Sequence, residues 1–292
     1  MQHHVGGDLV DADDATLPVD DRAVAFGDGV TDTVRVYGGV PFAWPAHADR
    51  LFDACAALGF DPDVDAADLR SRIEATVAAN DLDEALVRVS ITRGRGGDGS
   101  PALPGAARLR PPVDPDPTVV VTATPVPAST PPLTVQTVRT RASSGDVPTA
   151  LTHGRLDAVR AQAELRRAAP PDDDPADEAL LLDADGRVVG GTVTDVAFVD
   201  EEAVRMPALG DRTPRTATRS VVRELARDEG LPVVDGAYTP ADVREAAEAF
   251  VADPTAGVRP LARLDGVPVG GGPVTDLLSE LFAARVAATR GR

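Results

Sequence analysis

The chain has 292 residues, 43% hydrophobic and only 3% aromatic, which allows two ordinary domains with cores built mainly from Val, Ala and Leu. Its formal charge is −18, which argues against nucleic acid or an anionic membrane as a partner. All 29 basic residues are arginine and none is lysine, so chemistry that needs a side-chain amine is excluded: a guanidinium stays protonated and is a poor nucleophile.

An acidic surface with Arg in place of Lys fits a salt-loving organism. Cys55 is the single cysteine, so no intrachain disulfide can form. It lies in an apolar-periodic stretch and is expected to be inert core packing. No stretch approaches membrane-spanning length and no apolar leader is visible at the N-terminus, so a cytoplasmic location is expected.

Residues 8–45 alternate short apolar runs with turns, and Val34–Tyr37, Gly38-Gly39 and Val40–Phe42 read as a hairpin. His3 and His4 lie in a terminus expected to fray. Helices are predicted at 46–58 and 67–79, strands at 86–92 and 119–124, and a long loop over 94–117 between those strands. Pro125–Pro132 holds four prolines and reads as a linker. The predicted domains are therefore 1–124 and 133–292, joined by 125–132. In the second, a strand at 133–140 is followed by a helix at 154–168, an acidic loop at Asp172–Asp174 and strands flanking the Asp185-Gly186 turn. Helices are predicted at 216–229, 240–250 and 274–289. Strands and helices mix without strict alternation, which favours an α+β fold.

Several segments carry a resemblance. Asp21–Val30 running into Val34–Gly39, then His47-Ala48-Asp49-Arg50-Leu51, Val87–Gly94, Asp177–Asp183 with Asp185-Gly186, and Phe250–Gly272 occur in an order and spacing similar to class IV pyridoxal-phosphate aminotransferases and aminodeoxychorismate lyases. The resemblance implies fold type IV, like D-amino acid aminotransferase, with a cofactor cleft between two domains and a dimer surface. It implies that Arg50 holds the cofactor phosphate, as a planar donor fork suits a phosphate dianion. Thr218 and Ala217 at a helix start, Thr255 in a C-terminal turn and Arg155 fall at the other cofactor-binding positions.

The departures lie at the chemistry. The family's Schiff-base lysine falls at Leu151, or at Thr152 if the alignment slips by one, ahead of Gly154-Arg155-Leu156. The family's Val-x-Glu-Gly-Thr-x-Ser-Asn reads here as Val188–Asp195, with Gly190 at the glutamate that pairs with the cofactor ring nitrogen. Asp253 and Pro254 stand where relatives offer small phosphate-binding residues. The chain thus reads as a lyase-like family member without Schiff-base catalysis, with no catalytic residue, no metal and at most weak non-covalent pyridoxal phosphate. A homodimer, a heterodimer with an active paralogue, or a small anionic ligand are the expected partners. Two alternatives remain: an active lyase or branched-chain-type aminotransferase, and a cofactor-independent enzyme using His153 or Asp195. Phe26, Arg50, Leu151, Gly190, Thr218 and Thr255 are expected to converge on one pocket.

Overall fold

A computed structural model describes residues 1–95, 109–143, 151–171, 174–209 and 216–290. Of the predicted features, most of the 94–117 loop, the Asp172-Asp173 part of the acidic loop, Ala150 and Arg215 lie outside the described residues. The chain forms two compact units, Met1–Val126 with Val147–Gly154, and Pro127–Asp146 with Arg155–Arg292. The boundary falls inside the predicted linker, but the chain crosses more than once: the short segment ending at Gly154 belongs with the N-terminal unit.

The first unit contains β1 (Gln2–Val5), β2 (Asp8–Asp11), α1 (Arg22–Phe26), β3 (Gly29–Tyr37), β4 (Val40–Pro41), α2 (Trp44–Leu58), α3 (Ala66–Ala79), β5 (Glu84–Thr92) and β6 (Thr118–Pro125). Its strands make one antiparallel six-stranded sheet in the order β2-β1-β6-β5-β3-β4. Alternation decides the faces. Val30, Val34 and Val36 of β3, Val87, Val89 and Ile91 of β5, and Val119, Val121 and Ala123 of β6 form one apolar core with Leu51, Cys55, Leu69 and Ile73 of α2 and α3. Asp65 starts α3 by accepting from the amides of Ala67 and Asp68. Burial pushes the Cys55 thiol up to about 12, which agrees with a packing role. The N-terminus does not fray as expected. Gln2–Val5 pairs with both β2 and β6, and His4 is buried.

The second unit contains β7 (Leu133–Arg141), α4 (Leu156–Ala168), β8 (Glu178–Leu182), β9 (Val188–Gly190), β10 (Asp195–Val199), β11 (Val204–Pro207), α5 (Thr218–Asp228), β12 (Val233–Gly236), α6 (Pro240–Arg244), β13 (Glu248–Asp253), β14 (Gly257–Leu264), β15 (Val267–Pro268) and α7 (Pro273–Arg290). A mixed sheet runs β12-β11-β10-β13-β14-β7-β8-β9, with β15 on β14. Strand β9 curls back against β10 and β11. The predicted helix over 240–250 is a correction. A Thr239/Asp242 capping box opens α6, but it stops at Arg244, and Glu248–Asp253 is a strand. The Ala- and Glu-rich composition favours helix locally. The central place of β13 between β10 and β14, with every residue buried, overrides that preference.

Candidate functional site

In the first unit, β3 and α2 bring three ionisable side chains together in the core. His47 and Arg50 lie three residues apart on α2, so both face the sheet over Asp32 of β3. His47 Nδ1 lies 2.8 Å from Asp32 Oδ2, and Arg50 Nε lies 3.4 Å from the same oxygen. The second carboxylate oxygen accepts from the Thr33 amide at 2.9 Å. Burial alone would raise the Asp32 carboxyl, but the Arg50 guanidinium and His47 outweigh it and hold it below the usual carboxylate range. An ionised Asp32 makes His47 Nδ1 the protonated nitrogen. Arg50, predicted as a phosphate ligand, thus has an internal carboxylate beside it, and its side chain is only 10% exposed.

Leu151 sits in the same apolar core, 1% exposed, in one cluster with Val30 and Leu51. The next residue, Thr152, bridges to Val30. Val30 and Asp32 are successive residues on one face of β3, about 7 Å apart along the strand. Arg50 and Leu151 therefore belong to the same side of the sheet. Phe26, at the end of α1, is partly exposed and lies under the Arg22 guanidinium. Asp28, just beyond it, pairs with both Arg22 at 2.7 Å and Arg93 at 2.9 Å, which fixes the entry to β3.

The opposite face of that sheet holds a polar group. Arg88 Nε donates to Thr31 Oγ1 at 3.0 Å, and Ser90 Oγ lies 3.2 Å from the same hydroxyl. His153 places Nε2 3.1 Å from the Val30 carbonyl, which can only accept, so Nε2 carries the proton and Nδ1 is left as the base. Burial, then the Arg88 charge, lowers the His153 pKa and keeps the ring neutral. A neutral imidazole, a guanidinium and two hydroxyls could move a proton beside an anionic group. Thr31, Arg88 and Ser90 were not singled out from sequence, although the strict alternation of β5 assigns Arg88 and Ser90 to the face away from the core.

In the second unit the predicted residues are joined by one run of contacts. Arg155 at the start of α4 donates to the Thr192 carbonyl. Thr192 belongs to the loop from Gly190 to Asp195, and Asp195 Oδ2 accepts from the Thr216 amide at 2.6 Å and hydroxyl at 2.9 Å. Ala217 and the first residue of α5, Thr218, follow directly, both buried. Thr216 Oγ1 also reaches the Ala252 carbonyl at 3.4 Å, next to the turn that holds Thr255. In that turn Asp253 accepts from the amides of Thr255 at 2.7 Å and Ala256 at 3.0 Å and pairs with Arg259 at 2.8 Å. Its charge is answered internally.

The loop after Gly190 closes around a carboxylate that sequence reasoning missed. Glu178, 1% exposed, accepts on Oε1 from the Thr192 hydroxyl at 2.6 Å, the Ala179 amide at 2.8 Å, the Thr192 amide at 3.0 Å and Gln162 Nε2 at 3.1 Å. Oε2 takes the Val193 amide at 3.1 Å and the Thr194 hydroxyl at 3.2 Å. Six donors fill it. Gly190 has φ +143, where a side chain is strained, and a Cβ on Gly191 would stand 2.7 Å from Glu178 Oε2. The pair Gly190-Gly191 is what lets the loop wrap so closely.

The family model described as amino-transferase class IV matches residues 29–264. A Methanocaldococcus jannaschii protein assigned as a branched-chain-amino-acid aminotransferase is 31% identical over 293 residues, covering 97% of this chain and 95% of its own. The crystal structure of 4-amino-4-deoxychorismate lyase from Pseudomonas aeruginosa is similar with a TM-score of 0.80 and 27% identity, over 97% of this chain and 98% of the other. That of the branched-chain aminotransferase from Thermoproteus uzoniensis, with norvaline, has a TM-score of 0.84 over 99% and 95% of the two chains. Its 23% identity speaks for the fold alone.

Proposed function

The chain belongs to the amino-transferase class IV family and has the fold type IV architecture, yet it contains no lysine, and we propose that it no longer performs Schiff-base catalysis with pyridoxal phosphate. In this reading it is a lyase-like family member that acts as a dimer partner or regulator of an active relative. One observation carries the reading: the chain contains no lysine, so no side chain can supply the amine, and Leu151, which we match to the family's lysine (Thr152 if the alignment slips by one), is buried among apolar side chains.

Three features support it. The residues do not fit a covalently held cofactor of the family's kind, because both the amine and the ring-nitrogen carboxylate are missing. Glu178 is near the vacated position 190, but its oxygens are filled by six donors, so it is not poised as a replacement. Arg50 shares its charge with Asp32, so a phosphate group would compete with an internal anion. Non-covalent pyridoxal phosphate would then bind at sub-millimolar strength or weaker, ~4–5 kcal/mol.

Borohydride reduction of the protein with pyridoxal phosphate, followed by peptide mass spectrometry, tests the reading. No phosphopyridoxyl group is expected on any side chain, and only the Met1 amine can react. Turnover of aminodeoxychorismate or of a transamination pair at ordinary enzymatic rates by the unmodified protein would overturn it. A second reading, a cofactor-independent enzyme, is favoured by the neutral His153 beside Arg88, Thr31 and Ser90.

A further inference from the structure

In the second unit, β7 and α4 enclose a recess of about 890 Å³, the scale of a small-molecule site. Four guanidiniums line it, Arg139 and Arg141 from the strand and Arg160 and Arg167 from the helix, against two carboxylates, Asp157 and Glu164. The helical members follow spacings of three and four, so they share one face of α4.

Neither carboxylate forms an ion pair with those arginines, although the Arg139 charge adds to what holds Glu164 ionised. Glu164 accepts from the Arg139 amide at 2.7 Å and from the Thr140 amide and hydroxyl, each at 3.1 Å. Burial opposes its ionisation, but these donors outweigh burial and hold the carboxyl below its ordinary range. Asp157 accepts from the amides of Ser143 at 3.0 Å and Ala158 at 2.7 Å. Both groups therefore tie the strand to the helix through the backbone. Arg141 rests on the carbonyls of Val138 and Arg139. Among the described residues, no ion pair joins any of the four arginines to a carboxylate. Several arginines elsewhere are paired with an aspartate, Arg22, Arg93, Arg219, Arg223, Arg244 and Arg259 among them. In a chain of net charge −18, a concave site lined by four guanidiniums and two carboxylates, with no ion pair between them among the described residues, is a local reversal of sign.

We propose that this recess binds a small polyanion of the polyphosphate class, a molecule with two or three linked phosphates. Guanidinium forks match phosphate oxygens in pairs. Arg160 and Arg167 are seven residues apart, about 10 Å along the helix axis, a span that linked phosphates bridge and a single phosphate does not. None of the residues lining the recess is Arg50 or another residue matched to the family's cofactor positions.

Calorimetric titration of the full chain with inorganic tripolyphosphate at low ionic strength tests it. One site is expected, weakened by added salt. The double variant R160Q/R167Q should weaken binding by at least about tenfold, and Arg139→Gln, on the strand, should weaken it in the same direction. The control R70Q/R187Q, which removes two exposed arginines elsewhere, should leave binding within about twofold. No heat with millimolar tripolyphosphate overturns the proposal, as does unchanged binding in both R160Q/R167Q and R139Q. Equal affinity for citrate would also overturn it, because that marks plain charge attraction without phosphate recognition.

Discussion

Two buried carboxylates, Asp32 in the first unit and Glu178 in the second, meet the same physical demand by different means. Asp32 is held as an anion by a cation, the Arg50 guanidinium, with the His47 ring N–H and one amide assisting. Glu178 is held by six neutral donors, four of them from the loop between Thr192 and Thr194. The first arrangement keeps a positive charge in place around one acid. The second closes a loop over an acid and leaves no charge to meet a ligand. Where a carboxylate is matched by a cation, substituting the acid leaves that cation buried. Where it is matched by amides, substitution unravels local backbone.

The largest effect should come from Leu151→Lys, which forces a second cation into the core face that already holds Arg50. Losing the leucine's apolar contacts and burying an ammonium should cost about 3–5 kcal/mol in denaturant unfolding. A rise in melting temperature without ligand would break the contrast, since it would mean that the Asp32 side of the sheet can host another cation. Next comes Glu178→Gln. A glutamine offers one acceptor oxygen and an NH2 group that faces donors, so the loss should be about 3 kcal/mol. Amide hydrogen exchange of Thr192 and Val193 should accelerate with it. Protection unchanged at those amides would show that the loop does not depend on the carboxylate.

Much of the fold was legible because alternation is a strong signal: Val87, Val89 and Ile91 in one strand and Val119, Val121 and Ala123 in another line one face of one sheet. The misses have physical reasons. Gln2–Val5 is short and polar at His3 and His4, and only pairing with β6 on one side and β2 on the other makes it a strand. Glu248–Asp253 has helical composition, and only its central sheet position decides against that. In the candidate site, the absence of lysine was visible as letters, and the matching of Leu151 and Gly190 to the family's lysine and glutamate is part of the proposal. The roles of Asp32 and Glu178 were not. Asp32 is fifteen residues from His47 and Glu178 fourteen from Thr192, so each contact exists only after the fold brings the segments together.

Asp32→Asn sharpens the comparison through pH. The folded Asp32 pKa lies below its unfolded value, near 3.9, so the folded state binds fewer protons than the unfolded one in that range. Its stabilisation is therefore present above about pH 4 and lost as pH falls through the lower folded value. The asparagine variant should lose about 2 kcal/mol at neutral pH, and its unfolding midpoint should depend less on pH below about 4 than that of the parent. Urea unfolding at neutral and acid pH measures this. Parallel curves for the two proteins would remove the charge from the account of this cluster.

The smallest effect lies on the other face of the same sheet, where cation and base are neighbours without a carboxylate between them. His153 has a lowered pKa, first from burial and second from Arg88. In the window below its unfolded value of about 6.5, the unfolded state takes up the proton first, so stability falls as pH drops through that window. Arg88→Gln removes the electrostatic contribution and leaves burial and the Val30 hydrogen bond intact. The His153 ring, followed by NMR, should then titrate at higher pH than in the parent and still below an exposed histidine, with a stability change of a few tenths of a kcal/mol, about 0.5 at most. A midpoint that does not move would mean Arg88 exerts no field on His153, and the polar face would lose its claim to act as a unit.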